Sequence, residues 1–463
     1  MSDAARRKDT IAAVATPPGQ GGVGIIRISG PKAVEIAAEL FRATREDFTN
    51  FKPYRLHHGT VADSGGKAID EVLAAFMPGP KSYTGEDTIE FNCHGGQAIL
   101  AAVLEECLDR GARLADRGEF TLRAYLNGRM DLTQAEAVAE LIHAPSKAAM
   151  HLAQVKLSGV LGQKIDGLRK RLEELRAQLC VAVDFPEEEL ECLPMEELAR
   201  TSSEVREEIS ALLTAVERTK AWREGALVVL AGMVNAGKSS LMNALLGRNR
   251  AIVTEIPGTT RDYLEESLNL GGLTVRLADT AGLRSTGDSI EEAGIEKGRE
   301  LMEQADLILY VVDNSETIAE ENMDAATQLD PAKTIAVMNK MDVIGAEPPP
   351  WKIFKRWMFE IVKVSAKSGK NLDKLAGRMR ERLLEGAGQP DPDELVPNAR
   401  QAQVLKRAAQ ELEAMEADAT AGVPYDLLGV RLETACNVLA GITGRITSEE
   451  VLDSIFDNFC IGK

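Results

Sequence analysis

Several features are scarce in this 463-residue chain, and each absence narrows what the protein can be. No uninterrupted apolar stretch is long enough to span a bilayer, and Met1–Lys8 is too short and polar for a secretory signal. The six cysteines include no Cys-x-x-Cys spacing, so neither a disulfide framework nor a structural zinc site is expected. We therefore predict a cytoplasmic protein without stable membrane insertion.

Basic residues are also in the minority, with 54 lysines and arginines against 72 acids. The net charge of −18 argues against a protein that binds polyanions over its whole surface, although RNA held by a local basic patch is compatible with it. Hydrophobic content of 44% and charged content of 27% are ordinary for globular proteins. A chain of this length predicts two or three domains with ample cores.

A glycine-rich loop with a lysine follows an apolar segment in the middle of the chain. Residues 226–230 predict a buried strand, and residues 232–239 have the pattern G-x-x-x-x-G-K-S. In such a loop the backbone amides surround a phosphate group. Lys238 neutralises the β- and γ-phosphates, and the Ser239 hydroxyl reaches Mg²⁺. The pattern therefore predicts a nucleotide site.

Two later segments predict that the nucleotide carries guanine. Residues 339–342, Asn-Lys-Met-Asp, follow the predicted strand 334–338, and residues 365–367, Ser-Ala-Lys, follow the predicted strand 361–364. The Asp342 carboxylate accepts hydrogen bonds from guanine N1 and N2, and Asn339 can meet the Hoogsteen edge of the purine. Adenine would leave a buried Asp342 unpaired, at a cost of about 1–3 kcal/mol or more.

The segments between these loops predict magnesium and γ-phosphate contacts. Asp279 comes after the predicted strand 273–277 and is expected to hold Mg²⁺ through water, while the Gly282 amide senses the γ-phosphate. Of two adjacent threonines, Thr260 is the better-placed Mg²⁺ ligand, and Thr259 is its neighbour or an ordinary loop residue. The order and spacing of these elements predict one doubly wound α/β domain.

The residue after Gly282 is Leu283, which cannot hydrogen-bond an attacking water. Glu291 or Glu292 is the candidate for orienting that water; the alternative is that both are solvated acids at the start of a helix. The Asn235 amide oxygen could ligate a monovalent cation where other GTPases place an arginine, or it could only stabilise the loop.

Apolar stripes at helical spacing flank this α/β region. Leu157 to Leu179 predict one long helix ended or kinked near Pro186, and 205–216 and 428–442 predict two more. Residues 447–450 predict a capping box for the last helix. Residues 386–392 have the composition of a linker.

Residues 1–125 predict an α+β domain of a different kind. The predicted elements are strands at 9–15, 24–28, 72–77 and 88–92 and a helix at 97–108. The chain is thus expected to be a multidomain α/β and α+β protein. The predicted domains are an N-terminal α+β domain at 1–125, a discontinuous all-α helical domain at 126–222 and 387–463, and an inserted P-loop α/β G domain at 223–386.

Segments along the whole chain resemble the bacterial tRNA modification GTPase family MnmE, also called TrmE. The segments that carry the resemblance are Asp9–Ala12, Ala15–Gly19, Gly21–Gly30, Tyr83–Asp87, His94–Gly96, Gly118–Thr121, Gln134–Ala137 and Phe459–Lys463. The terminal Phe-Cys-Ile-Gly-Lys is the most specific of them. The resemblance covers the chain from end to end and is not confined to motifs that many GTPases share.

This resemblance implies a homodimer joined through N-terminal domains that bind 5-formyltetrahydrofolate or a related one-carbon tetrahydrofolate. It implies a flavoprotein partner, MnmG (GidA), in a heterotetramer that adds a carboxymethylaminomethyl or aminomethyl group to C5 of the wobble uridine of certain tRNAs. The folate positions carried over are Arg27, Glu90, Arg129 and the C-terminal Lys463. Cations there can pair with the folate glutamate tail, and a carboxylate can hydrogen-bond the pterin.

The resemblance also implies potassium-stimulated GTP hydrolysis activated by dimerisation. The K⁺ ligands carried over are Asn235, Thr254, Ile256 and Thr259, and the Mg²⁺ ligands are Ser239 and Thr260. Glu291 matches the acid that helps to position water. Cys460 resembles a residue needed for the modification, the alternative being a buried cysteine at a helix end. The implied GTP-binding residues are Asn235, Ala236, Gly237, Lys238, Ser239, Ser240, Thr254, Glu255, Ile256, Pro257, Gly258, Thr259, Thr260, Asp279, Thr280, Ala281, Gly282, Asn339, Lys340, Met341, Asp342, Ser365, Ala366 and Lys367.

Two other interpretations of the sequence stay open at this point. One is a ribosome-assembly GTPase that acts only as an RNA-binding switch, which the lack of a compact basic domain after the G domain disfavours. The other makes residues 1–125 a dimerisation module without a ligand.

Overall fold

A computed structural model describes residues 9–184, 195–249, 265–279, 298–316, 324–344, 347, 350–385, 388–391 and 393–463. The chain divides into two compact units. The first unit comprises Met1–Ile142, Val155–Ser210 and Ala399–Lys463, and the second comprises His143–Gln154 and Ala211–Asn398. None of the helices in the described ranges combines the length and apolarity needed to cross a membrane.

The first unit contains a seven-stranded sheet built from the N-terminal residues. Its strands are β1 (Ile11–Val14), β2 (Gly21–Ser29), β3 (Phe41–Ala43), β4 (Leu56–Ala62), β5 (Ala68–Met77), β6 (Thr88–Gly95) and β7 (Arg113–Leu114). Their order is β3-β4-β5-β6-β2-β1-β7, and only the β1–β7 pair is parallel. Helices α1 (Ala33–Leu40) and α2 (Gln97–Asp109) cover one face, where Ile26, Ile36 and Phe91 share a buried core.

The rest of the first unit is helical, in agreement with the predicted apolar stripes. Its helices are α3 (Glu119–Leu126), α4 (Leu132–Ile142), the end of α5 (Lys147–Leu157), α6 (Val160–Asp184), the first half of α7 (Met195–Glu224), α12 (Ala399–Thr420), α13 (Tyr425–Thr443) and α14 (Glu449–Phe456). Helix α13 packs along both α6 and α12. Buried leucines such as Leu168 and Leu432 form these contacts, because residues three and four apart lie on one helix face.

Two predictions about these helices are wrong in detail. The long helix does not include Leu157, because Gly159 adopts φ 88° and separates α5 from α6. The last helix begins at Glu449 with Ser448 as its N-cap, and no side chain makes a capping hydrogen bond there. The expected capping box at 447–450 is therefore not formed.

The second unit is built around a six-stranded sheet. Its strands are β8 (Ala226–Gly232), β9 (Glu265–Leu270), β10 (Leu273–Asp279), β11 (Leu307–Asp313), β12 (Thr334–Asn339) and β13 (Glu360–Lys363). The order is β13-β12-β11-β8-β10-β9, with only β9 antiparallel to its neighbour. The described helices that lie entirely within this unit are α8 (Lys238–Asn249), α9 (Asp324–Thr327), α10 (Trp351–Arg356) and α11 (Leu372–Leu383).

Alternate residues of β8 enter two different apolar cores, one on each face of this sheet. Val228 and Leu230 pack with Leu241 and Leu375 on one side, and Val229 packs on the other. A mainly parallel sheet covered on both faces is the predicted doubly wound α/β arrangement. Its parallel strands end at the same edge, so the end of β10 meets the loops that follow β8, β12 and β13 there.

Candidate functional sites

The loop after β8 lies so close to neighbouring strands that two of its positions require glycine. Gly232 adopts φ 131°, and a Cβ atom there would lie 2.2 Å from the carbonyl oxygen of Val311. Gly237 adopts φ 89°, and a Cβ atom there would lie 2.5 Å from Nδ2 of Asn339. Any side chain would push the loop away from β11 and β12. The two glycines of the G-x-x-x-x-G-K-S pattern therefore have a steric function besides leaving room for a phosphate.

The Lys238 side chain is folded across this loop and is only 8% exposed. Its Nζ donates hydrogen bonds to the carbonyl oxygens of Gly232, at 3.0 Å, and Met233, at 2.8 Å. The ammonium group is thus held at the mouth of the loop by neutral acceptors. A phosphate oxygen is a stronger, charged acceptor, so a bound nucleotide would compete for this lysine.

Ser239 and Asp279, both predicted near Mg²⁺, are brought together although 40 positions separate them in the sequence. The Ser239 hydroxyl donates to Oδ2 of Asp279 at 2.8 Å. Asp279 is at the end of β10, which pairs in parallel with β8 and places Asp279 opposite Leu230. A hydroxyl and a carboxylate are oxygen ligands of the kind that Mg²⁺ prefers, so these residues fit a magnesium ion.

Asn339 connects the phosphate loop to the loop after β13. Its Nδ2 donates to the carbonyl oxygen of Ala236 at 3.0 Å, and its Oδ1 accepts from the amide of Ala366 at 3.0 Å. The side chain is 2% exposed. The Asn339 side chain therefore joins two loops of the site through one amide hydrogen and its amide oxygen. A contact of Asn339 with the Hoogsteen edge of the base stays a prediction.

Lys340 and Asp313 form an ion pair beside this connection. Asp313 also accepts hydrogen bonds from the amide and hydroxyl of Ser315. Burial raises the pKa of Asp313, but the hydrogen bonds from Lys340 and Ser315 outweigh it, so the pKa is lowered. Asp313 therefore holds Lys340 as a carboxylate at neutral pH.

Asp342 is exposed, so the expectation of a buried carboxylate is wrong. The Ser365 hydroxyl donates to Oδ1 of Asp342 at 2.5 Å, and this hydrogen bond lowers the pKa of Asp342. Ser365 is itself fully buried and accepts from the amide of Ser368. Ser365 thus holds the charged Asp342 carboxylate at the rim of the site, where a bound base would shield it from solvent.

Replacing Asp342 with asparagine is expected to weaken GTP binding about ten- to hundredfold, because an amide cannot accept two hydrogen bonds from guanine N1 and N2. The variant should prefer xanthosine triphosphate, whose O2 accepts from the new amide. Competition between the two nucleotides measures this preference. Asp373→Asn, an exposed aspartate on α11, is the matched control and should bind like the wild type. Unchanged GTP selectivity in Asp342→Asn would refute the base-reading role.

Asn235 has φ 61° and an exposed side chain at the tip of the phosphate loop. In the ranges that the structure describes, its side chain has no hydrogen-bond partner. The left-handed backbone is one that asparagine adopts more readily than most residues. The Asn235 amide is therefore available to a ligand. Two further residues predicted to bind GTP, Ser240 and Lys367, lie at the same edge of the sheet.

Many predicted residues of the switch regions fall in segments whose structure is not described. Outside the described residues are Thr254, Glu255, Ile256, Pro257, Gly258, Thr259, Thr260, Thr280, Ala281, Gly282 and Glu291. Leu283 and Glu292 lie in the same segments. Their roles toward Mg²⁺, K⁺ and water stay predictions.

A second candidate site lies in the first unit around Arg27. The register of β2 and β6 places Arg27 opposite Glu90, and Nε of the arginine donates to Oε1 at 2.7 Å. The guanidinium lies over the rings of Tyr83, at 5.8 Å, and Phe120, at 5.5 Å. Its Nη1 donates to the carbonyl oxygen of Gly462 at 3.1 Å. Pairing and ring contacts hold the cation in one orientation.

The other two predicted folate residues are near this arginine. Burial and the Arg27 cation lower the pKa of Lys463, while the Glu90 carboxylate acts in the opposite direction. Nε of Arg129 donates to the carbonyl oxygen of Ser82 at 3.1 Å. Ser82 precedes Tyr83, whose ring lies beside Arg27, so Arg129 is held by the segment that contacts this arginine, and the folate roles of the four residues stay predictions.

The C-terminal tail reaches this site by packing on the N-terminal domain. Gly462 adopts φ 93°, and a Cβ atom there would lie 2.2 Å from the carbonyl oxygen of Val14. Ile461 pairs with Arg117, and Phe459 is 4% exposed. Cys460 is exposed and lies beyond the end of α14, so the alternative of a buried cysteine at a helix end is wrong.

Sequence reasoning assigned no role to Tyr83, Phe120 or the carbonyl group of Gly462. All three contact Arg27. They belong to the segments Tyr83–Asp87, Gly118–Thr121 and Phe459–Lys463 that carried the resemblance. The signal was therefore present, but only the folded chain shows that these segments meet at one arginine.

Comparison with known proteins identifies the family. The model of the MnmE helical domain matches residues 132–460, and the model of the GTP-binding protein TrmE N-terminus matches residues 10–129. The chain is 54% identical to the tRNA modification GTPase MnmE of Nitratidesulfovibrio vulgaris strain DP4, over 98% of this chain and 99% of the relative. It is 48% identical to the protein of that name from Lawsonia intracellularis, over 98% of this chain and 100% of the relative.

Among solved structures, the G domain of the FeoB iron transporter of T. maritima is 27% identical over 35% of this chain and 99% of that chain, with a TM-score of 0.25. The assignment rests instead on the two family models and the nearly full-length relatives, together with the motifs already placed at the edge of the second sheet. The chain belongs to the tRNA modification GTPase MnmE family.

Proposed function

We propose that this GTP hydrolase of tRNA modification adds, together with MnmG, a carboxymethylaminomethyl or aminomethyl group to C5 of the wobble uridine of certain tRNAs. It would act in the cytoplasm as a homodimer within a heterotetramer. The observation that carries the proposal is one sheet edge at which Lys238, the Ser239–Asp279 pair and the Asp342–Ser365 pair meet. These groups match a triphosphate, its metal ion and a guanine base.

Each group would contribute to binding or orienting GTP. Lys238 would exchange its carbonyl partners for phosphate oxygens, and Asp342 would accept the guanine N–H groups. Mg²⁺, when bound, supplies positive charge that offsets the charge developing on the phosphates. Ser239 would hold that ion directly and Asp279 through water. Asn339 keeps the phosphate loop against the base loop, so both ends of the nucleotide are fixed together.

Hydrolysis is proposed to depend on potassium, with Asn235, Thr254, Ile256 and Thr259 as ligands and with Thr260 on Mg²⁺. The support is the exposed Asn235 amide, which has no partner in the described ranges and lies on the phosphate loop. Glu291 would orient the attacking water, since Leu283 cannot. Steady-state hydrolysis measured in potassium and in sodium tests this part. Equal rates in the two salts would remove the cation from the mechanism.

The site around Arg27 is proposed to bind 5-formyltetrahydrofolate or a related one-carbon tetrahydrofolate. Arg27, Arg129 and Lys463 would offer cations and Glu90 a carboxylate, which suits a ligand that has both a polyanionic tail and hydrogen-bond donors. The rings beside Arg27 add apolar surface for a flat heterocycle. Cys460 is proposed to take part in the modification, since its exposed thiol lies on the same tail as Lys463.

Arg27→Met is expected to weaken binding of 5-formyltetrahydrofolate at least about tenfold, because a charged hydrogen-bond donor is lost. Calorimetric titration of the full-length protein measures the change. Arg42→Met, an exposed arginine on β3 of the same sheet, should bind folate like the wild type. Equal affinities for Arg27→Met and the wild type would contradict the folate site. Circular dichroism and melting temperatures equal to those of the wild type would show that both variants are folded.

Mass spectrometry of tRNA nucleosides from a deletion strain tests the proposed function as a whole. We expect wobble uridines without the carboxymethylaminomethyl or aminomethyl group, and restoration by the wild-type gene. A normal set of modified nucleosides, together with association of the protein with ribosomal subunits, would instead favour a ribosome-assembly GTPase.

A further inference from the structure

An open cleft of about 410 Å³ lies in the first unit between helices α12, α13 and α14. Its volume is within the range of about 300–1,000 Å³ that small organic ligands occupy in proteins. One wall is apolar and consists of Val404, Val438, Ile446 and Val451. The cleft contains none of the residues proposed for GTP or folate.

The cleft contains a cation that the fold does not use. Residues 399–463 include four arginines, three of which pair with carboxylates: Arg400 with Glu136, Arg431 with Glu411 and Asp418, and Arg445 with Asp166. The fourth, Arg407, is exposed and lines the cleft. Across the described ranges it has neither an ion pair nor a hydrogen bond. No lining residue of the cleft is acidic, although the chain has a net charge of −18.

The opposite side of the cleft offers hydrogen-bond donors. Ser448 lines the cleft as the N-cap of α14, and its side chain makes no capping hydrogen bond. The first amides of a helix have no partner within the helix and favour anions. Glu449 and Glu450 follow in this first turn but do not line the cleft.

From this arrangement we propose that the cleft binds one nucleotide of the tRNA substrate. The phosphate lies between Arg407 and the Ser448 hydroxyl with the first amides of α14, and the base or ribose packs on the apolar wall. A cation for the phosphate beside apolar side chains for the base is an arrangement by which proteins hold an unstacked nucleotide. This inference rests on the proposed function, because it takes tRNA as the substrate.

Filter binding of an unmodified tRNA transcript to the full-length protein at several salt concentrations tests the cleft. Arg407→Ala should weaken binding about tenfold and lower the slope of log affinity against log salt by about one. Lys406→Ala is the matched control, since it removes the same charge from the adjacent exposed position, outside the cleft. It should change the affinity less than about twofold. Ile446→Asp, at a position 58% exposed, should repel the phosphate and weaken binding as much as Arg407→Ala.

Circular dichroism and the melting temperature should be equal in all four proteins, which confirms that the variants fold, and GTP turnover without tRNA should be equal as well. Affinity of Arg407→Ala equal to that of Lys406→Ala would overturn the proposal, as would wild-type binding by Ile446→Asp. Binding of adenosine monophosphate that depends on Arg407, with no effect on tRNA, would also overturn it in favour of a free nucleotide. Each of these results leaves the proposed function intact, because that function is judged by the nucleosides of the deletion strain.

Discussion

Lys238→Ala is expected to lower the affinity for GTP at least about a hundredfold and to abolish measurable hydrolysis at GTP concentrations that saturate the wild type. The lysine supplies hydrogen bonds from a charged group, each contributing about 1.5–3 kcal/mol, to the β- and γ-phosphates. The Lys238 ammonium group donates to two carbonyl groups of the loop, those of Gly232 and Met233. Replacing Lys238 with alanine therefore leaves the loop without the cation that offsets the triphosphate charge.

Titration with a fluorescent GTP analogue measures the loss for Lys238→Ala. Lys374→Ala, on the exposed surface of α11 in the same unit, is the control and should bind GTP like the wild type. Because Lys238 is largely buried, the melting temperature of both variants has to be compared with that of the wild type. A folded Lys238→Ala protein with wild-type affinity would show that the loop does not bind phosphate.

The nucleotide site could be predicted from the sequence because its chemistry is encoded locally. The glycines, Lys238 and Ser239 are contiguous, and the strand before them is a continuous apolar run. A parallel sheet then brings the ends of its strands to one edge without any further information. Pairing of Ser239 with Asp279 follows from that topology, as does the position of Asp342 beside Ser365.

Other features depend on tertiary contacts and could not be read from the sequence. Arg27 and Gly462 are 435 positions apart, and no local pattern shows that the tail returns to the first hairpin. Asp342 was expected to be buried because the base-reading role suggests it, yet the fold leaves this side chain exposed. The break at Gly159 is a backbone effect, which the leucine spacing on either side of it conceals.

The N-terminal domain contains a buried ionic cluster whose geometry the sequence also did not reveal. Arg123 is 2% exposed and donates to Asp9, Glu86 and Glu119. Arg113 donates to Asp9 and Glu119 as well. The cluster joins the start of β1 and the segment before β6 to β7 and α3, so it fixes the elements that carry the ring partners of Arg27 and the strand that pairs with its own.

Arg123→Met is expected to destabilise this domain by about 3–5 kcal/mol, because it leaves buried carboxylates without their shared cation. Hydrogen exchange in peptides covering β1 and α3 measures the loss. Arg45→Met, which removes an exposed pair with Asp47, should leave exchange unchanged.

Burial raises the pKa of Asp9 and of Glu119, but hydrogen bonds from Arg113 and Arg123 outweigh it and lower both. The ionised carboxylates therefore stabilise the fold at pH values above their unfolded pKa values, which are about 3.9 for Asp9 and 4.3 for Glu119. This stabilisation is lost as the pH falls through their lower folded pKa values. The protection of the wild type from hydrogen exchange, corrected for intrinsic exchange, should decline below about pH 4. The protection of Arg123→Met should decline less over the same pH range. Equal declines in the two proteins would exclude the cluster as the cause.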